Sequence, residues 1–157
     1  MKKSLLVLML LFAQFTHSQA VDSAKTQNIR SIKKLGLGLQ LLGPTGFSIY
    51  GDYFVTHNFN FELGGFVLGD QMYCYYGGAK YYYGRKDKQQ KFSPYIGIGA
   101  AQISALEELI VTINAPIGFQ IMKNNGFQFS FELSAMYLSS IEGVIPWGAI
   151  KIGKNFG

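Results

Sequence analysis

Cysteine, histidine, charge and long apolar runs are all scarce in this sequence. Cys74 is the only cysteine among 157 residues, so no intrachain disulfide can form and a disulfide scaffold is excluded. Two histidines, His17 and His57, beside one cysteine make a transition-metal site implausible. Charged residues reach only 15%, and there are four prolines. No apolar run beyond the first dozen residues approaches the roughly 20 residues that a spanning helix needs. What is present is 48% hydrophobic, 15% aromatic and unusually rich in glycine, with 19, at a mean hydropathy of +0.14. That is ample apolar surface to exclude disorder, and the length suits one domain. An aromatic, glycine-rich and charge-poor chain suits a β protein with an unusual solvent.

Residues 1–20 read as a secretory signal. Met1-Lys2-Lys3 is a basic start, Leu5 to Phe12 is an apolar stretch, and Ser18-Gln19-Ala20 places small residues before a cleavage point at Val21. Loss of Lys2 and Lys3 lowers the net charge from +5 to +3, so the pI of 9.3 overstates the basicity of the mature chain. No cysteine follows the cleavage point, which excludes a lipid anchor there. The mature chain is therefore expected outside the inner membrane, either soluble or as a barrel in an outer membrane. Residues 21–33 are polar and basic, with Lys25, Arg30 and Lys33, and are expected to be a flexible lead-in.

From residue 34 to residue 157 the pattern has period two. Leu35-Gly-Leu-Gly-Leu-Gln-Leu alternates large apolar with small or polar residues, and Phe127-Gln-Phe-Ser-Phe-Glu-Leu-Ser-Ala does so most cleanly. Turn signals fall at Gly43–Gly46, Thr56–Asn58, Gly69–Gln71, Gly84–Gln90, Ser104–Glu107, Lys123–Gly126 and Ser139–Pro146. They predict eight strands, at 34–42, 46–55, 59–69, 73–83, 92–103, 108–121, 127–138 and 147–156, with a helical turn as an alternative around Leu106 to Val111. Strands of about ten residues match a tilted bilayer crossing. An even number returns both termini to one side.

The two faces differ in a decisive way. Odd positions in the first four strands carry Leu35, Leu37, Leu39, Leu41, Phe47, Ile49, Tyr53, Val55, Phe59, Phe61, Leu63, Val67, Tyr75, Ala79, Tyr81 and Tyr83, none of them charged. Even positions carry glycines with Gln40, Ser48, Asp52, Asn60, Glu62, Cys74 and Lys80. An uncharged, aromatic face opposite a small and polar one predicts a barrel turned inside out for lipid. Aromatics from Tyr53 through Phe156 gather at one strand end, as an interfacial girdle would.

The chain resembles the small eight-stranded outer-membrane β-barrels of Gram-negative bacteria, the outer membrane protein β-barrel domain family. The resemblance rests on the leader, the Pro94-Tyr-Ile-Gly-Ile-Gly99 strand opening and the last segment, Trp147-Gly-Ala-Ile-Lys-Ile-Gly-Lys-Asn-Phe156. In that segment Ile150, Ile152 and Phe156 look like the terminal-strand signal of such barrels, although Lys154 interrupts the face and Gly157 follows the final aromatic. The resemblance implies an all-β, antiparallel, up-and-down transmembrane barrel in the cell outer membrane. It further implies outer-membrane lipids as surroundings, with periplasmic chaperones and the barrel-assembly machinery as partners in biogenesis.

The inward charges are Asp52, Glu62, Lys80, Glu132 and Lys151. Folding the hairpins sets Asp52 nearly opposite Glu62, two carboxylates that repel unless a cation intervenes or one stays protonated; Lys80 on the next strand could be that cation. Lys151 falls near Glu132. A narrow barrel is filled by side chains, so this set reads as a structural polar network. His57, in a tight turn, is the one histidine a hydrolase could use in the mature chain, and no catalysis is expected there. Arg85, Lys86, Lys88 and Lys91 form a basic run suited to anionic headgroups, a periplasmic partner or plain solvation. No cofactor and no nucleic acid are implied, and a monomer is expected. The expected role is structural or interaction-based; a narrow channel or small-solute transporter, a lipid-modifying enzyme and a soluble lipocalin-like binder are the alternatives.

Overall fold

The computed structural model describes residues 28–43, 46–68, 72–84, 91–105, 108–139 and 142–157. The expected leader, the expected lead-in up to residue 27 and the basic residues Arg85, Lys86 and Lys88 lie outside them, as do parts of several turns.

One helical turn, α1 (Ile29–Ile32), precedes eight strands: β1 (Leu35–Leu42), β2 (Phe47–Phe54), β3 (Phe59–Leu68), β4 (Met72–Tyr82), β5 (Phe92–Ala105), β6 (Glu108–Met122), β7 (Phe127–Leu138) and β8 (Gly143–Phe156). Each strand pairs antiparallel with the next, and β8 pairs back onto β1, closing the barrel. The chain is an all-β, closed, eight-stranded, up-and-down barrel. Closure leaves no open edge. At the seam Phe156 lies opposite Leu35, Ile152 opposite Leu39 and Ile150 opposite Leu41, so the three terminal-strand residues face outward together with the leucines of β1.

Alternation sets what points where. Leu63 is 71% exposed on the outer wall while its neighbour Glu62 is 5% exposed inside. The same division holds for Leu37, Ile49, Phe61, Tyr75 and Tyr81 outside against Gln40, Ser48, Asn60, Cys74 and Lys80 inside. Small inner residues make room for large ones. A Cβ on Gly36 would fall 1.7 Å from Asp52 Oδ1, and one on Gly38 would fall 2.7 Å from the ring of Tyr50. The glycine alternation of β1 thus gives the lumen the width that Asp52 and Tyr50 occupy.

Two features depart from the sequence reading. Strand β8 begins at Gly143, ahead of Pro146, where a turn was expected. β1 stops opposite Ala149, so at Pro146 no β1 strand loses a hydrogen bond, while β7 still pairs Ala135 with Pro146. Residues 108–111 are strand, as the strand expected from 108 has it, and the alternative of a helical turn there falls away. The second departure is the lead-in, whose last residues are ordered. Asn28 caps α1, accepting a hydrogen bond at 3.1 Å from the Arg30 backbone N–H, and Asn28, Ile29 and Arg30 are all buried. Ile29 joins Phe54, Tyr82, Tyr95 and Met122 in an apolar cluster at the end of the barrel that bears α1 and Gly157.

Candidate functional site

The barrel interior gathers the charged side chains. Glu62 comes from β3, Lys80 from β4, Glu132 from β7 and Lys151 from β8. Lys80 Nζ donates to Glu62 Oε2 at 2.9 Å and to Glu132 Oε2 at 3.0 Å. Lys151 Nζ pairs with Glu62 Oε1 and lies 3.1 Å from Glu132 Oε1. The four side chains close a ring of alternating sign across the lumen. Tyr95 on β5 adds an O–H donated to Glu132 Oε2 at 2.8 Å. All four ring members are at most 5% exposed.

This arrangement satisfies each carboxylate oxygen with a lysine. Each lysine in turn bridges both carboxylates, so the four charges hold one another in place. Burial of four charges is tolerable only because their geometry is reciprocal; removal of any one leaves an uncompensated charge. The space left beside the ring is a cavity of about 20 Å³, bordered among others by Tyr76, Asn114 and Glu132. That is room for about one water molecule.

Asp52 stands apart from the ring. It does lie opposite Glu62 in the β2–β3 register, as the hairpin arithmetic predicted. Lys80 does stand by this facing pair, but its ammonium donates to Glu62 and Glu132, not to Asp52. The Asp52 carboxylate accepts instead from Asn60 Nδ2 at 3.1 Å, Asn155 Nδ2 at 3.4 Å and Gln128 Nε2 at 3.5 Å. Amide donors from three other strands take the place expected of a cation.

One interior charge was missed at the sequence level. Arg30 is 1% exposed, donates from Nε to Gln120 Oε1 at 2.9 Å and from Nη1 to Ser93 Oγ at 2.8 Å, and lies 5.0 Å over the Tyr82 ring. Burial pulls its guanidinium pKa down to about 10, which leaves it charged at neutral pH. With Arg30 counted, the buried cations Arg30, Lys80 and Lys151 balance the buried anions Asp52, Glu62 and Glu132 among the described residues. The available signal was Asn28 ahead of Ile-Arg-Ser-Ile, a capping residue before a short amphipathic turn. Replacing Arg30 with methionine should loosen α1 from the barrel end. Amide exchange over residues 28–33 should then rise about tenfold or more while the strands keep their protection.

His57 lies in the β2–β3 turn, on the rim that holds α1 and Gly157. Cys74 is fully buried on the inner face of β4. The outward aromatics form a belt near that same rim: Phe59 meets Phe61 at 5.0 Å, Tyr81 meets Tyr83 at 5.4 Å and Phe92 stacks on Phe119 at 5.3 Å. A lipocalin-like binder would need this aromatic face around a cavity; it lies on the outside.

Neither the family models nor the curated proteins searched include a match to this chain. Among solved structures, a designed protein described under the de novo design of transmembrane β-barrels is similar. It superposes with a TM-score of 0.55 at 13% identity, covering 80% of this chain and 97% of that one. The likeness is one of fold. At that identity it shows the shared closed barrel and leaves the role of the side chains to their own geometry.

Proposed function

We propose that this chain is a small integral outer-membrane β-barrel with a filled interior, whose role is structural or interaction-based rather than catalytic. The observation that carries the reading is the exposure of the outer wall. Leu63, Ile98, Ile49, Ile117 and Leu37 are each more than half exposed around the barrel, while acids, lysines and amides fill the lumen. Water would penalise that wall and hydrocarbon would not. The aromatic belt then sits at a membrane–water boundary. The end bearing α1 and Gly157 faces the periplasm, and Ile150, Ile152 and Phe156 serve as the strand recognised by the assembly machinery.

The test is a membrane fractionation followed by a denaturing gel with and without boiling. The protein is expected in the outer-membrane fraction and should migrate differently once heated, because a closed barrel resists detergent until thermally opened. Recovery in the soluble fraction with no change of mobility would contradict the reading.

A further inference from the structure

The rim that carries α1 and Gly157 gathers lysines from separate parts of the chain. Lys33 and Lys34 stand between α1 and β1, Lys91 immediately precedes β5, Lys123 immediately follows β6, and Lys154 lies near the end of β8. Backbone contacts place them in one arc. The Lys91 carbonyl accepts from the Met122 N–H at 2.8 Å, next to Lys123. Lys123 heads the turn to Phe127, and Phe127 is the register partner of Lys154. The Lys33 side chain lies against that turn at Gly126. Among the described residues, no acidic side chain lies on this rim outside the barrel interior.

The arc coincides with the aromatic belt. Lys123 Nζ sits 5.5 Å over the Phe127 ring, and Lys154 Nζ sits 5.8 Å over the Phe156 ring. Lys154 is the telling case. It occupies an outward position of β8, opposite Leu37 on β1 and Phe127 on β7, where every neighbouring outward residue is apolar. Its ammonium turns back over Phe156, two residues or about 6.6 Å nearer the chain end. A lysine that lays its stem along an apolar wall and carries its charge to the boundary ring is snorkelling.

We propose that this rim is a docking surface for anionic phospholipid headgroups, held by Lys33, Lys34, Lys91, Lys123 and Lys154. The proposal rests on the membrane-spanning reading and adds to it a lipid class and the residues that select it. The position of the charges favours lipid over an acidic protein: Lys123 and Lys154 lie along the outer wall at the level of the rings, where lipid phosphates would stand, instead of projecting off the end. Anionic headgroups there neutralise the arc, and the aromatic edges fill the layer beneath them.

The chain is folded into phosphatidylcholine vesicles doped with spin-labelled lipid, and the motionally restricted fraction is read by electron spin resonance. Spin-labelled phosphatidylglycerol should associate about threefold more than spin-labelled phosphatidylcholine at low salt, and the preference should fade near 0.5 M salt, as expected for screened surface charges (Debye length ~4 Å there). A K91Q/K123Q/K154Q variant, all at exposed positions, should lose the preference, and the corresponding arginine variant should keep it. Equal association of both lipids with the inserted parent overturns the proposal and leaves the arc to an acidic protein. A preference that survives the glutamine variant overturns it too. A chain that never inserts into the vesicles removes the spanning reading, and the proposal with it.

Discussion

Replacing Lys151 with methionine should destabilise the barrel by about 3–5 kcal/mol, the cost of breaking a buried ion pair from one side. The substitution removes the cation between Glu62 and Glu132 and leaves two carboxylates sharing Lys80 alone. Their free oxygens then face each other in a lumen with room for about one water. The second half of the prediction is more diagnostic. A Lys151→Met, Glu62→Gln double variant restores neutrality, because Lys80 and Glu132 remain paired at 3.0 Å and the amide can still accept from Lys80. Its loss should fall short of the summed single losses by about 2 kcal/mol, the coupling expected of residues in one network. Trp147 is the sole tryptophan, so its fluorescence during denaturant unfolding from detergent or vesicles gives a one-site readout. Strictly additive losses would mean that the ring contributes no more than four separate side chains would.

Placing an arginine at Leu63 should cost about 2–4 kcal/mol in a bilayer, the range for a charge on the lipid face near mid-depth. Leu63 is mid-strand in β3 and 71% exposed, between Gly51 on β2 and Gly77 on β4. No side chain has to move to admit the longer residue, so packing offers no reason for a loss. In a soluble barrel the same substitution would be neutral or would improve solubility, since exposed surface changes there usually lie within about 0.5 kcal/mol. Arginine at Phe127 or Phe156 should cost much less, because the proposed reading sets those positions at the boundary and Lys154 already stands beside them. The depth dependence is therefore part of the expected result.

Much of this architecture is written in the sequence as a period. Gln128, Ser130, Glu132 and Ser134 against Phe127, Phe129, Phe131 and Leu133 give both the strand and the facing of β7, and the structure has each on the expected side. Turn chemistry places most boundaries within a residue or two. Neighbouring-strand geometry is equally legible: Asp52 opposite Glu62 follows from the turn at Thr56–Asn58. What alternation does not convey is contact across the lumen. Lys80 reaches Glu132 from 52 residues away, and Lys151 reaches Glu62 from 89 away. Those pairs depend on how closure staggers β8 against β1, which no local pattern encodes. Arg30 was hidden for another reason. Its segment is polar by composition, and only the barrel end supplies the Gln120, Ser93 and Tyr82 partners that make burying it favourable. Pro146 misled in the opposite direction, since a proline ends a strand only where a neighbour needs its N–H.

The central claim is that hydrocarbon covers the outer wall, and a fluorophore scan in lipid tests it most directly. In a Cys74→Ser background, single cysteines at the outward positions 61 and 63 of β3 and 98 of β5, and at the exposed turn position 125, are labelled with a small fluorophore in vesicles. Strong quenching by bromine-labelled acyl chains is expected at 61, 63 and 98, and little at 125. Labels at 61 and 63 quenched by aqueous iodide, with no effect of the brominated chains, would contradict it.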